Sequence, residues 1–84
     1  MRPIARLGDK HICPYHPPNV IVQGGTALCD NRPIARVGDK CACGGVILDG
    51  ATDATCDGRP VAVLGSKTSC GGVIASGSPT ATAT

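Results

Sequence analysis

Eighty-four residues with no Trp, no Phe, one Tyr and 12 glycines make one small domain with little large apolar volume to bury. A net charge of +2 without a basic run is too weak to suggest a nucleic-acid binder, which needs a clustered cationic face and, for single strands, aromatic platforms. No apolar stretch has the length of a secretory h-region or a membrane span, so the chain is expected to be made in the cytoplasm without a signal peptide.

In chain order, the first predicted strand is 3–7. It lies in the run Arg2-Pro3-Ile4-Ala5-Arg6-Leu7-Gly8-Asp9-Lys10, which returns as Arg32 to Lys40 and, with changes, as Arg59 to Lys67. Short β-branched segments predict further strands at 20–23, 26–29, 33–37, 46–48, 53–56, 60–64, 73–75 and 80–83. Pro3, Pro33 and Pro60 are expected to begin strands, where a missing N–H does least harm. Asp30-Asn31 and Asp57-Gly58 read as tight hairpin turns, because Asn and Gly tolerate positive φ. The arginines, lysines and aspartates read as solvated strand ends and turn residues. The reading is therefore all-β: a pseudo-three-fold body of short strands and hairpins, one domain over 1–84 with units at about 2–30, 31–57 and 58–84. The first and last strands lack hairpin partners of their own, so 80–84 is expected to pair with 2–6 and close the ring.

Each copy of the repeated run is followed, three residues after its lysine, by a cysteine: Cys13, Cys43 and Cys70, spaced by 30 and 27 residues. Matched positions in a three-fold body should meet near its axis. The first unit alone carries four extra residues, within Pro14 to Asn19, and His16 lies among them. Three-fold symmetry supplies three ligands and tetrahedral zinc takes four. The expected metal site is thus Cys13, His16, Cys43 and Cys70, holding one structural Zn²⁺ per chain, with iron the second choice for the same donors. Cys41 and His11 occupy equivalent positions two residues before a ligand cysteine, and either could replace an assigned ligand. Cys29 and Cys56 read as small buried apolar residues. Disulfides are the competing use of six cysteines, disfavoured by an odd-numbered central set and a cytoplasmic origin. With no Glu, with each Asp in a turn and with a closed four-ligand metal, no catalytic site is expected, so the chain is not read as an enzyme.

The repeated Pro-Ile-Ala-Arg at 3–6 and 33–36, each followed by an apolar residue and Gly-Asp, resembles the PAAR-repeat family, and the resemblance covers nearly the whole chain. The third copy departs from it with Val63 for Arg and Ser66 for Asp, so any contact made by those two side chains is missing on one face. The resemblance implies a sharp three-sided β cone with a metal near its tip, bound by Cys13, His16, Cys43 and Cys70. It implies a structural role: capping the trimeric VgrG-type spike of a type VI secretion machine or related contractile injection tail, sharpening it for membrane puncture. The partners implied are that spike, effector or toxin cargo, and the target membrane during puncture, with delivery outside the cell by the machine itself. Because the chain stops at Thr84, it is expected to be a bare tip. The other readings are a small zinc-binding interaction or nucleic-acid-binding module, and a disulfide-stapled secreted binder.

Overall fold

The computed structural model describes residues 2–83. Among them there is no helix, and hence none long and apolar enough to cross a membrane. The chain is all-β, built of nine very short strands: β1 (Arg2–Pro3), β2 (Lys10–Ile12), β3 (Asn19–Val20), β4 (Leu28–Cys29), β5 (Arg32–Pro33), β6 (Thr55–Cys56), β7 (Arg59–Pro60), β8 (Val73–Ile74) and β9 (Thr82–Ala83). Its extents are 30 × 22 × 22 Å, one long axis and two equal short ones, as a three-sided body requires.

The architecture is set by hydrogen bonds that pass cyclically from one copy of the repeated run to the next. Ala5 N–H donates to Ala62 O at 2.8 Å, Ala62 N–H to Ala35 O at 2.8 Å, and Ala35 N–H to Ala5 O at 3.0 Å. All three alanines are fully buried, so three backbones meet where no larger side chain has room. A second ring surrounds the first: Leu7 N–H to Pro33 O, Val37 N–H to Pro60 O and Leu64 N–H to Pro3 O, at 2.8–2.9 Å. The prolines thus serve as acceptors, the one ladder role left to a residue without an N–H. Each proline is the second residue of its strand rather than the first, since the preceding arginine already pairs.

After each alanine the chain turns sharply. The carbonyls of Arg6, Arg36 and Val63 accept from the N–H three residues on, at 2.9–3.0 Å, and Gly8, Gly38 and Gly65 take φ of 89°, 93° and 88° at the corner. That conformation is strained for any side chain and explains the glycine in each copy. The hairpin turns form as read, with φ of 53° and 64° at Asp30 and Asn31, and 54° and 78° at Asp57 and Gly58. Closure also follows the expectation: β1 pairs antiparallel with β9, Arg2 opposite Ala83 and Pro3 opposite Thr82, and Ile4 N–H donates to Ala81 O at 3.0 Å. Thr84, the last residue of the predicted closing strand, lies outside the described residues.

Two expectations need correction. Residues 10–12 form a strand, pairing with both β3 and β8, where none was expected. The charged residues of the repeat are not all solvated. The Arg6 side chain is 7 % exposed and Asp9 is 3 % exposed. Arg6 bonds Asp9 through Nε and Nη2 at 3.0 Å each, and reaches Asp30 through Nη1 at 2.9 Å. Arg36 repeats the pattern with Asp39 and Asp57, at 2.8–3.0 Å. Each aspartate also accepts the backbone N–H of its arginine, Arg6 to Asp9 at 2.7 Å and Arg36 to Asp39 at 2.8 Å. In the third copy Ser66 Oγ takes that backbone bond from Val63 at 3.0 Å, and the ion pair is replaced by a buried valine. The clamps hold neighbouring hairpins as well: Asp30 accepts from Ser78 and Thr80, and Asp57 from Thr26. Among the described residues no buried side-chain polar atom lacks a partner.

These clamps give two tests. Arg6→Val or Asp9→Ser alone should destabilise by about 3–5 kcal/mol, because each strands a buried charge, whereas the double variant copies the third unit and should cost less than either single change. Urea denaturation of the four proteins measures this. The second test is acid. Burial opposes ionisation of Asp9, but the bonds from Arg6 outweigh it and hold the carboxyl below its ordinary value of 3.8, and Asp30 and Asp57 are lowered too. Depressed carboxyls contribute stability above their unfolded pKa and lose it as pH falls. The urea midpoint should therefore be level at mildly acidic pH and drop as pH goes below about 4, with a shallower drop in the double variant.

Candidate metal centre

Cys13, Cys43 and Cys70 each follow their axial alanine by eight residues, so equal path lengths carry the three thiols away from one ring toward one place. In the second and third units the turn is the same. Gly44 N–H donates to Cys41 O at 2.9 Å, and Gly71 N–H to Thr68 O at 3.0 Å, with φ of 90° and 87° at the two glycines. The following glycine lies flat against the thiols. A Cβ on Gly45 would come within 3.0 Å of Cys70 Sγ and 3.5 Å of Cys43 Sγ. A Cβ on Gly72 would meet His11 Nε2 at 2.7 Å, Cys13 Cα at 3.0 Å and the Ile12 carbonyl oxygen. The Cys-Gly-Gly sequence is thus a turn followed by a wall with no side chain.

The result is a compact group of soft donors. His11, Cys43 and Cys70 have ligand atoms all within 4.8 Å of one another, and so do Cys13, His16 and Cys43. Cys43 Sγ is 3.9 Å from Cys70 Sγ and 3.7 Å from His11 Nδ1, and Cys70 Sγ is 3.6 Å from His11 Nε2. Cys13 Sγ is 3.2 Å from His16 Nδ1. Zinc–sulfur bonds of about 2.3 Å set tetrahedral S···S edges of about 3.8 Å, so these separations suit a tetrahedral ion. The four residues expected from the sequence are split between the two sets, with Cys43 common to both. His11, there only a substitute, is a full member of the inner set. Cys41 belongs to neither and is packed among Ala5, Ile21, Ala35, Ile47, Ala62 and Ile74.

The hydrogen bonds around His11 fix its tautomer. Asn19 Nδ2 donates to Pro17 O at 3.2 Å, which turns the amide oxygen toward His11 Nδ1, 3.0 Å away. Nδ1 therefore carries the proton, and Nε2 accepts from the Thr68 hydroxyl, 2.7 Å away. The ring is oriented through Nδ1, and Nε2, which faces Cys70 Sγ at 3.6 Å, could ligate a metal by giving up its bond to Thr68. Asn19 stands where the other units have Gly45 and Gly72, so the extra loop of the first unit supplies both His16 and the residue that orients His11.

The thiols differ in acidity. Burial pushes the Cys70 thiol up, but bonds from Cys13, Thr68, the Gly72 backbone and Cys43 outweigh it and bring it down to about 6. Cys13 moves the other way, raised first by its bond to Cys70 and then by burial. Burial, with the nearby Cys43, Cys70 and Cys13, pushes Cys41 up to about 12, which keeps it a thiol and a core residue. The lowered Cys70 thiol favours the thiolate form that metals bind, and the arrangement can hold a metal ion.

The PAAR motif family matches residues 1–49, more than half of the chain. The chain belongs to that family. The match ends before the third copy, where Val63 and Ser66 stand in place of the Arg and Asp of the first two. The comparison with curated proteins returns no match. PAAR motif proteins are structural spike-tip proteins rather than enzymes, and this chain shares their repeat, an all-β fold and a Cys/His cluster able to take a metal.

Gly72→Ala tests the side-chain-free wall. Its methyl must displace His11 or the β2 backbone, so it should destabilise the fold by about 1–3 kcal/mol and weaken metal uptake against a chromophoric chelator. Parent-like melting and uptake would show that the wall yields freely.

Proposed function

We propose that this PAAR protein is a spike tip: it caps a trimeric VgrG-type spike of a type VI secretion or related contractile injection machine, and sharpens it for passage through a target membrane. The observation that carries this reading is the cyclic closure of the three motif copies through the Ala5–Ala62–Ala35 hydrogen bonds, in a chain of this family. One polypeptide that repeats a contact three times around an axis can offer three similar edges to three identical subunits. The pairs β1–β9, β4–β5 and β6–β7 are the edges that would meet the spike, each extending one of its sheets. Delivery outside the cell would then need no signal peptide, since the machine carries its own tip. Effector cargo would travel on the same assembly.

The apex is the second half of the proposal. A point has too little volume for a hydrophobic core, and the largest apolar side chains fully buried among the described residues are isoleucines. A structural Zn²⁺ held by Cys13, Cys43, Cys70 and an imidazole, His16 in the sequence reading, would supply what packing cannot; zinc in small metal domains contributes about 10–16 kcal/mol. Thiolate and imidazole donors favour zinc over harder ions, and iron accepts the same set.

Two experiments test the halves separately. The purified chain should be retained by a trimeric VgrG-type spike from the same genome, and a chain that passes through unretained speaks against the cap. Cys43→Ser should release zinc and lower the melting temperature sharply, while Cys29→Ala should keep the zinc and cost at most a few kcal/mol of packing. Zinc retained by Cys43→Ser would remove Cys43 from the site.

A further inference from the structure

We propose that the outer face of the cysteine end is a lipid-binding surface, which seats its apolar side chains in the interface of an anionic bilayer and its lysines among the headgroups. The inference rests on the reading of the chain as a membrane-crossing tip, and adds that the tip has an affinity for lipid of its own.

Six segments close a ring at this end. Lys10 is opposite Val20, Ile21 opposite Cys41, Lys40 opposite Val46, Ile47 opposite Thr68 and Lys67 opposite Val73, and Ile74 opposite His11 returns to the first segment. His11, Ile21, Cys41, Ile47, Thr68 and Ile74 fill the inside, each at most 2 % exposed. A closed ring has no edge strand, so it offers nothing to strand addition. Backbone groups paired around it can approach hydrocarbon without stranding an N–H or a C=O. The ribbons β1–β9, β4–β5 and β6–β7 are two-stranded and lack that closure.

The outside of the ring carries exposed apolar side chains. Leu48, Lys67, Val73 and Ile12 are successive cross-strand neighbours: Leu48 N–H donates to Lys67 O at 2.8 Å, Lys67 pairs with Val73, and Val73 pairs with Ile12. Leu48, Val73 and Ile12 are all exposed. The loop of the first unit lies against the end of this row, since a Cβ on Gly71 would be 3.7 Å from Pro14 Cγ. Tyr15 follows, 81 % exposed and the one aromatic residue of the chain. Tyrosine is a residue of the membrane–water interface, where its ring is buried and its hydroxyl stays wet.

Charge selects the kind of bilayer. Segments 10–22, 40–48 and 67–75 contain three lysines and no Asp or Glu. Three thiolates with one divalent ion carry −1, so the three lysines still leave these segments at +2. Lys10, Lys40 and Lys67 are exposed, and each sits opposite a valine, so cationic and apolar positions alternate around the ring. Among the described residues no lysine joins an ion pair, whereas Arg6, Arg32, Arg36 and Arg59 all do. Arginine holds the fold together and lysine is left facing outward, where its long stem lies along apolar surface and its ammonium reaches headgroup phosphates.

The full chain, as purified, is mixed with vesicles of phosphatidylcholine alone or with added phosphatidylglycerol. It should sediment with the anionic vesicles, less so as salt rises, and weakly with the neutral ones. Intrinsic fluorescence comes from Tyr15 alone, and its quenching by acrylamide should fall several-fold on binding. The triple variant Lys10→Gln, Lys40→Gln, Lys67→Gln should melt like the parent and bind anionic vesicles about 100-fold more weakly, about fivefold per lysine. Tyr15→Ser with Val73→Ser should also weaken sedimentation. Binding that leaves Tyr15 fully open to acrylamide would mean that lysines adsorb while the apolar face stays in water, and would overturn the proposal. So would a chain that the spike retains but neither vesicle binds; capping would then stand, and the exposed row would belong to a protein partner. Vesicle binding by a chain that the spike does not retain would support the lipid surface and overturn the cap alone.

Discussion

Three alanine peptide groups, each donating to the next around one axis, are the constraint from which the rest of this molecule follows. The ring leaves space for a methyl group and nothing larger, so the residue after the β-branched position (Ile4, Ile34, Val61) is alanine in all three copies. It also fixes a common origin for three identical path lengths. Eight residues after each alanine comes a cysteine, and the convergence of the thiols is the geometric result of that count. The glycines at 8, 38 and 65 make the corner that the path requires, and Gly45 and Gly72 let two of the paths arrive without a side chain in the way.

A body this small holds its interior with polar staples as much as with apolar packing. The two Arg–Asp clamps lie where a larger protein would place aliphatic side chains, and they tie a turn to the hairpin of a neighbouring unit. The third unit solves the same local problem with a valine and a serine. Ser66 keeps the backbone bond that shapes the turn, and Val63 fills the volume with no charge to desolvate. Turn formation and ion pairing are therefore separable functions of the same two positions. Scarce apolar volume also explains why soft metal donors gather at one end, where packing has least to offer.

Much of this was legible in the residues. The repeat announced the three-fold body, the unpartnered end strands announced their own pairing, and Asp30-Asn31 and Asp57-Gly58 announced their turns, because each depends on local spacing or on an intrinsic φ preference. Residues 10–12 were not legible as a strand because their burial inverts the usual pattern: His11 is wholly buried while Ile12 is 52 % exposed. The same inversion hid the place of His11 beside Cys43 and Cys70. What could have found it is the alignment of His11 with Cys41 and Thr68, positions that all point inward. The buried arginines were missed because sequence cannot show that Asp9 and Asp39 sit under them; their i, i+3 spacing reads equally well as an exposed turn.

Because β1 and β9 are cross-strand neighbours, the first and last described residues lie side by side on one edge of the body, and the described backbone is very nearly a closed loop. A polypeptide joined at either end would leave from that same edge and would load one of the three sides only. A short bridge across the gap, with a new opening at Asp30-Asn31, would move that exit to another side while leaving the axial alanines in place.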